Sequence, residues 1–175
     1  MDRGQIIEQL PGLRRYARTL TGDAWAADDL VQDTLERACS RWRLWTVGSD
    51  LRAWLFTLMH NLYLNQRRDA RVQLASVPLD EATQEQHGAS HGTEQAIDLE
   101  RCLQRLPAEQ RAVLLLVTLE DMRYEDVARV LQIPPGTVMS RLSRARGRLR
   151  ELMEEDTHAP AQAPRPAGAV LRRLK

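Results

Sequence analysis

The stretch Gln132-Ile133-Pro134-Pro135-Gly136 constrains this chain more than any other. A helix interior cannot run through two adjacent prolines, because each lacks an amide hydrogen and restricts the residue before it. Both flanks nevertheless carry helical periodicity. Upstream, 124–131 places Val127, Val130 and Leu131 on one stripe. Downstream, a long pattern with Val138 and Leu142 runs to about Glu154. A short helix, a tight turn and a second helix are what a helix-turn-helix requires. Ala128 is small enough to let the two helices approach. Thr137 falls in the first turn of the second helix, where free backbone amides favour a phosphate. Residues 137–150 then carry five arginines (141, 144, 146, 148 and 150) and no acid. The plain alternative is a solvated amphipathic helix. Turn chemistry and unbalanced arginines together favour DNA.

Breaker residues divide the rest of the chain into further helices. Residues 5–20 place Ile6, Leu10, Leu13, Ala17 and Leu20 at helical spacing, and Thr21-Gly22 ends the run. Asp23 is a plausible N-cap for a second helix to about Trp42. After a loop at 46–49, Ser49 or Asp50 caps a third helix to about Arg68, with Leu51, Leu55, Leu58 and Leu62 on one stripe. Periodicity lapses over 70–93, which holds Pro78, Gly88 and Gly92. It resumes from about Glu94 to Leu106, and again over 107–119, where Pro107 suits the first turn. Glu120-Asp121-Met122 reads as a turn. No strand signal survives. The expected fold is all-α: two small helical domains at 1–72 and 94–156, an acidic flexible linker at 73–93, and a disordered tail at 157–175.

Net charge is only +1, with 25 basic against 24 acidic residues, but the charges are segregated. Residues 76–100 hold six acids and no base, and 157–175 hold four bases and no acid. Such a linker between two arginine-bearing domains is expected to draw them together. Of the basic residues 24 are Arg and one is Lys. Arginine suits planar, bidentate recognition of phosphates and base edges, although a GC-rich genome produces the same preference.

Two further blocks carry chemistry. In Asp28-Asp29-Leu-Val-Gln-Asp33-Thr-Leu-Glu36, the carboxylates of Asp29, Asp33 and Glu36 share one helix face while Leu30, Val31 and Leu35 point elsewhere. That face is either merely solvated or a dock for a basic protein. Between 42 and 63 lie five of the eight aromatic residues, with Arg41, Arg43, Arg52, Arg67, Arg68 and Arg71 in and around them. Aromatics that stack on unpaired bases and arginines that track the backbone would bind single-stranded nucleic acid. Core burial is the competing explanation, above all for Trp54 and Phe56. Asn61 and Asn65 can each donate to and accept from an unpaired base edge.

Other classes are disfavoured. His87 and His91 sit in the glycine-bearing linker with no further ligand nearby, so no metal site is expected. Cys39 and Cys102 sit in helical patterns, where burial is expected over reactivity, and neither a disulfide framework nor a metal knuckle results. No convergent catalytic group or cofactor motif is present, so no enzyme is expected. Neither a membrane span nor a signal-peptide core is evident, and the expected setting is cytoplasmic.

In their order and spacing, three segments resemble a bacterial RNA polymerase sigma factor of the extracytoplasmic-function (ECF) group: LRRYARTLTGDAWAADDLVQDTLERA, DLRAWLFTLMHNLYLNQRR and LPAEQRAVLLLVTLEDMRYEDVARVLQIPPGTVMSRLSRARGRLRELM. The resemblance spans about residues 10–71 and 98–153. It implies two helical domains, sigma regions 2 and 4, and as partners core RNA polymerase (largest-subunit clamp helices and flap), promoter DNA and an anti-sigma factor. Asp29, Asp33 and Glu36 would dock on the clamp helices. Arg52, Asn61, Asn65, Arg67 and Arg68 would open and hold the minus-ten element. Thr137, Ser140, Arg141, Arg144, Arg146 and Arg148 would meet the minus-35 duplex. Met139 departs from the family pattern, where arginine is common, and Ser143 stands where a larger side chain can occur, so no minus-35 sequence carries over. A sigma-like adaptor that never touches DNA would have no need of five arginines on 141–150. A plain helix-turn-helix regulator would leave 1–75 unexplained.

Overall fold

The computed structural model describes residues 3–42, 50–76 and 94–158. Within them the chain forms α1 (Arg3–Thr21), α2 (Ala24–Ser40), α3 (Leu51–Ser76), α4 (Glu94–Arg105), α5 (Ala108–Thr118), α6 (Tyr124–Leu131) and α7 (Pro135–His158), and no strand. The expected loop at 46–49, residues 77–93 of the linker with His87 and His91, and 159–175 of the tail lie outside the described residues.

Local chemistry sets the helix ends. Gly22 takes a positive φ of 76° after α1, a conformation that costs glycine little. Asp23 then caps α2, its side chain accepting from the Ala26 amide at 2.7 Å. At α3 the cap is Asp50, whose Oδ1 accepts from the Ala53 amide at 3.0 Å. Two ends differ from expectation. α3 continues eight residues beyond Arg68, through Asp-Ala-Arg-Val-Gln-Leu-Ala-Ser, because no glycine or proline interrupts it before Pro78. α7 likewise runs to His158. Gln132 closes α6 in the left-handed conformation (φ 54°).

The helices form two units. α1 packs on α2 and α2 on α3, while α7 packs on α4, α5 and α6. The two units touch one another. α1 lies against α4 and α5, and α3 lies against α6. Leu13, Tyr16, Leu55 and Phe56 of the first unit and Leu116, Val127 and Val138 of the second belong to one continuous buried core. No helix among the described residues is long and apolar enough to cross a membrane.

Candidate nucleic-acid and polymerase interfaces

The acidic face of α2 is open. Asp29, Asp33 and Glu36 are all exposed. Asp33 accepts from Gln66 Nε2 on α3 at 3.0 Å, and Glu36 from Gln32 Nε2 at 3.0 Å. On the opposite side Ala27, Leu30, Val31, Thr34 and Ala38 are buried. Among the described residues α2 packs on α1 and α3 alone and makes no contact with the second unit. Trp25, 80% exposed, stands within about 40° of Asp29 and Glu36 on this helix and extends the face with an aromatic ring.

The aromatic-basic block divides between core and surface. Phe56 is fully buried, edge-on to Tyr16 with ring centroids 5.3 Å apart. Tyr63 is buried, and Trp54 is half-buried beside Trp42, their centroids 6.1 Å apart. The expectation of a stacking platform therefore fails for Phe56 and Tyr63, which fill the core instead. Trp45 and Arg43 lie outside the described residues.

The minus-ten residues on α3 separate by face. Asn61, Asn65 and Arg68 are exposed and share one side of the helix, within about 40° of Asn61. Arg68 Nη2 donates to Asn65 Oδ1 at 3.0 Å. Arg67 is turned by about 120° from them and lies over the Tyr63 ring, 5.7 Å from its centroid. Arg52 stands about 180° from Asn61 and faces the second unit. Its Nη2 lies 3.0 Å from Glu120 Oε2 and also donates to the Glu120 carbonyl.

The seam between the units is polar where it can be traced atom by atom. Glu120 follows α5 in the turn before α6, and its side chain is fully buried. Oε1 accepts from Arg15 Nε at 3.0 Å while Oε2 pairs with Arg52. Gln104 Nε2 donates to the Thr19 carbonyl at 2.9 Å. Arg111 is buried and donates to Tyr63 Oη at 3.1 Å and to Gln104 Oε1. Two glycines permit the approach. A Cβ on Gly12 would stand 2.7 Å from Glu120 Oε2, and one on Gly22 would stand 2.5 Å from the Gln104 side chain. Sequence reading missed Glu120, Arg15, Gln104 and Arg111. The signal available was faint: an acid, Glu120, directly after the apolar run of α5. Beneath the seam, burial and the Arg141 charge push the His60 imidazole down to about 4, and burial holds the Tyr16 phenol well above its usual range.

The helix-turn-helix forms as expected. Val127, Ala128 and Val130 of α6 and Val138 and Leu142 of α7 are buried in the core, and the two helices pack on one another. Around α7, Thr137, Ser140, Arg144 and Arg148 lie within about 40° of one line. Arg144 and Arg148 are exposed and Thr137 and Ser140 half-exposed. With Arg105, Gln110, Gly147 and Glu151, the two arginines line an open groove of about 510 Å³. Arg148 pairs with Glu151 at 2.9 Å. Arg141 is half-buried and pairs with Glu109 on α5 at 2.6 Å. Arg146 is exposed but faces about 160° away from Arg144, so it leaves the line expected to meet DNA. The expected row of free amides at the start of α7 shrinks as well. The Thr137 and Val138 amides both bond to the Pro134 carbonyl, at 2.9 and 3.2 Å, and Pro135 has none.

Cys102 is buried, whereas Cys39 is exposed, against expectation. Cys39 stands on the solvent side of α2, about 40° from Trp25. Among the described residues no group of three or more His, Cys, Asp or Glu side chains could hold a metal ion.

An acid-faced three-helix unit joined to a four-helix unit that ends in an arginine-rich helix-turn-helix defines the sigma class of transcription initiation protein. The "Sigma2 domain of PhyR" family matches residues 6–60, and "Sigma-70, region 4" matches 96–149. The chain is 37% identical over 156 residues to the ECF RNA polymerase sigma factor EcfG of Rhodopseudomonas palustris, covering 88% of this chain and 86% of that protein. It is 36% identical over 160 residues to the ECF sigma factor SigL of Mycobacterium tuberculosis, covering 87% and 89%. Among solved structures, the sigma factor RpoE of Bartonella quintana, in complex with the anti-sigma factor NepR, superposes with a TM-score of 0.72 at 36% identity, covering 88% of this chain and 97% of that one. The chain belongs to the ECF RNA polymerase sigma factors, and its function is promoter-specific transcription initiation.

Proposed function

We propose that 1–72 docks core polymerase and handles the minus-ten element, and that 94–156 reads the minus-35 element. The acidic face of α2, with Asp29, Asp33 and Glu36, meets the basic clamp helices of the largest subunit. The face of α3 bearing Asn61, Asn65 and Arg68 holds the unpaired minus-ten strand, with Arg67 beside it and Arg52 on the opposite side of the helix, available to promoter DNA once the units part. The α7 line of Thr137, Ser140, Arg144 and Arg148 enters the minus-35 major groove, with Arg141 beside it, while the second unit rests on the flap. The protein works in the cytoplasm, with polymerase.

The observation that carries this reading is the separation of the surfaces. The acidic face of α2, the amide-bearing face of α3 and the arginine line of α7 are all exposed while the two units are closed on one another, so polymerase and promoter DNA are offered different surfaces of the same closed chain. The test is reconstituted transcription from a mapped promoter with Asp29→Arg, Asp33→Arg and the double variant. Loss of core binding with an unchanged fold is expected. Unaltered core affinity in all three sinks the docking assignment.

An anti-sigma protein is part of the same proposal. RpoE of B. quintana is solved with NepR, and CnrH, 27% identical with a TM-score of 0.63, is solved with the cytosolic domain of CnrY. Neighbours containing PhyR, at 18% to 23% identity, share the fold. The adaptor reading is weakened by the exposed arginine line of Arg144 and Arg148, which a protein that never meets DNA would not require.

A further inference from the structure

Two arginines of the first unit converge on one anion. Arg15 lies on α1 and Arg52 at the start of α3, 37 positions apart in the sequence. Their guanidiniums grip opposite oxygens of the Glu120 carboxylate, at 2.9 and 3.0 Å. Glu120 is contributed by the other unit and its side chain is fully buried, yet the arginine side chains are 50% and 38% exposed. The filler is sealed in, while the seat stands at the rim.

Arg52 is steadied within its own unit by the Phe56 ring, 5.8 Å from guanidinium to centroid. The backbone of Arg15 is fixed one turn beyond Gly12, the residue whose missing side chain lets the carboxylate in. If the units part, Glu120 leaves with the second unit, and two cations that share one anion are left facing each other. Such a pair repels unless another anion enters. A guanidinium fork binds phosphate as well as carboxylate, and a phosphodiester likewise presents two non-bridging oxygens that share one negative charge.

We propose that Arg15 and Arg52 form a cradle for a promoter phosphodiester, and that Glu120 occupies it as an internal substitute while the units are closed. This rests on the reading that the first unit handles promoter DNA, and it adds Arg15 to the residues that do so. It also couples opening to binding. DNA cannot take the seat until Glu120 leaves, and a phosphate in the seat keeps the units from closing again.

The test uses holoenzyme assembled from core polymerase and the full chain, with two promoter probes: a fork whose minus-ten strand is unpaired, and a fully paired duplex. Arg15→Ala is expected to reduce the slope of log affinity against log salt by about 0.7 on the fork if the phosphate belongs to a single strand, or by about 0.9 on both probes if it belongs to duplex. Either result supports the cradle. An unchanged slope on both probes overturns it. Gly12→Ala tests the substitute without altering either arginine, and alanine favours the α1 helix over glycine. Its Cβ displaces the Glu120 carboxylate, so the free chain should bind the fork at least tenfold more tightly than wild type. Adding Arg15→Ala should remove most of that gain. A gain that survives Arg15→Ala, or no gain despite an expanded molecule in small-angle scattering, overturns the substitution. Asn61→Ala keeps the two readings apart. If its minus-ten opening is intact while Arg15→Ala loses slope, the minus-ten face fails and the cradle stands. The opposite pattern leaves the face and removes the cradle.

Discussion

Arg111 and Tyr63 join the two units through a buried hydrogen bond: Arg111 Nη2 donates to Tyr63 Oη at 3.1 Å across 48 positions of sequence. Tyr63 Oη lies 3.5 Å from the Leu20 carbonyl. No acid pairs with this buried arginine among its hydrogen bonds, which run to Tyr63, to the Leu103 and Gln104 carbonyls and to Gln104 Oε1. Tyr63→Phe removes the hydroxyl and keeps the ring. It should lower unfolding free energy by about 1–3 kcal/mol, the cost of stranding a buried donor. Urea denaturation with a matched Tyr124→Phe control, at an exposed tyrosine, measures it. A loss no greater than the control's would show that the bond contributes nothing.

His60 makes stability fall on mild acidification. Burial, then the nearby Arg141 charge, push its imidazole down to about 4, from an ordinary value of 6.5. The unfolded chain therefore binds a proton below about pH 6.5 that the folded chain refuses until about pH 4. Stability rises with pH across that window and is fully present above it. The shift corresponds to roughly 3 kcal/mol lost between pH 7 and pH 4. His60→Leu should flatten this part of the profile, as read by urea midpoints at half-unit pH steps. An equally steep profile in the variant would place the proton elsewhere.

On the recognition helix, position around the axis separates three arginines. Arg144→Ala should relax base preference at one or two minus-35 positions, because a bidentate arginine–guanine contact discriminates by roughly 1–3 kcal/mol. Arg148→Ala should weaken all sequences alike and lower the salt slope by about one unit. Arg146→Ala should do neither, since Arg146 faces away from that line. A promoter-library selection with holoenzyme at two salt concentrations distinguishes the three outcomes. Full sequence preference in Arg144→Ala would remove Arg144 from the base readers.

Asn61→Ala should impair strand opening and leave minus-35 duplex binding intact. Asn61 is exposed on the outer face of α3, away from the seam, so its loss should cost no more than about 0.5 kcal/mol of stability. Permanganate reactivity of the minus-ten thymines is the readout. Wild-type reactivity would count decisively against the α3 face.

The sequence by itself determined the helices, because what sets them is local. Apolar spacing, the Asp23 cap and the proline pair at 134–135 act over a few residues, and α6 over 124–131 forms where its pattern places it. The open acidic face of α2 and the arginine line of α7 follow from the same 3.6-residue repeat. Two local expectations ran short, at the ends of α3 and α7; at α3, low apolar periodicity was read as a break although no breaker was present.

The tertiary structure decided which charges are available. Arg52, Arg67 and Asn61 are close in sequence, but packing sends them to Glu120, the Tyr63 ring and solvent respectively. Glu120, Gln104 and Arg111 carry no local mark of importance. They matter because α1 and α3 close over the turn after α5, an approach that Gly12 and Gly22 permit by having no side chain. Contacts spanning 48 to 105 positions depend on how two amphipathic units bury their remaining apolar faces against each other. A pattern of period 3.6 says that such a face exists, but not which face it meets.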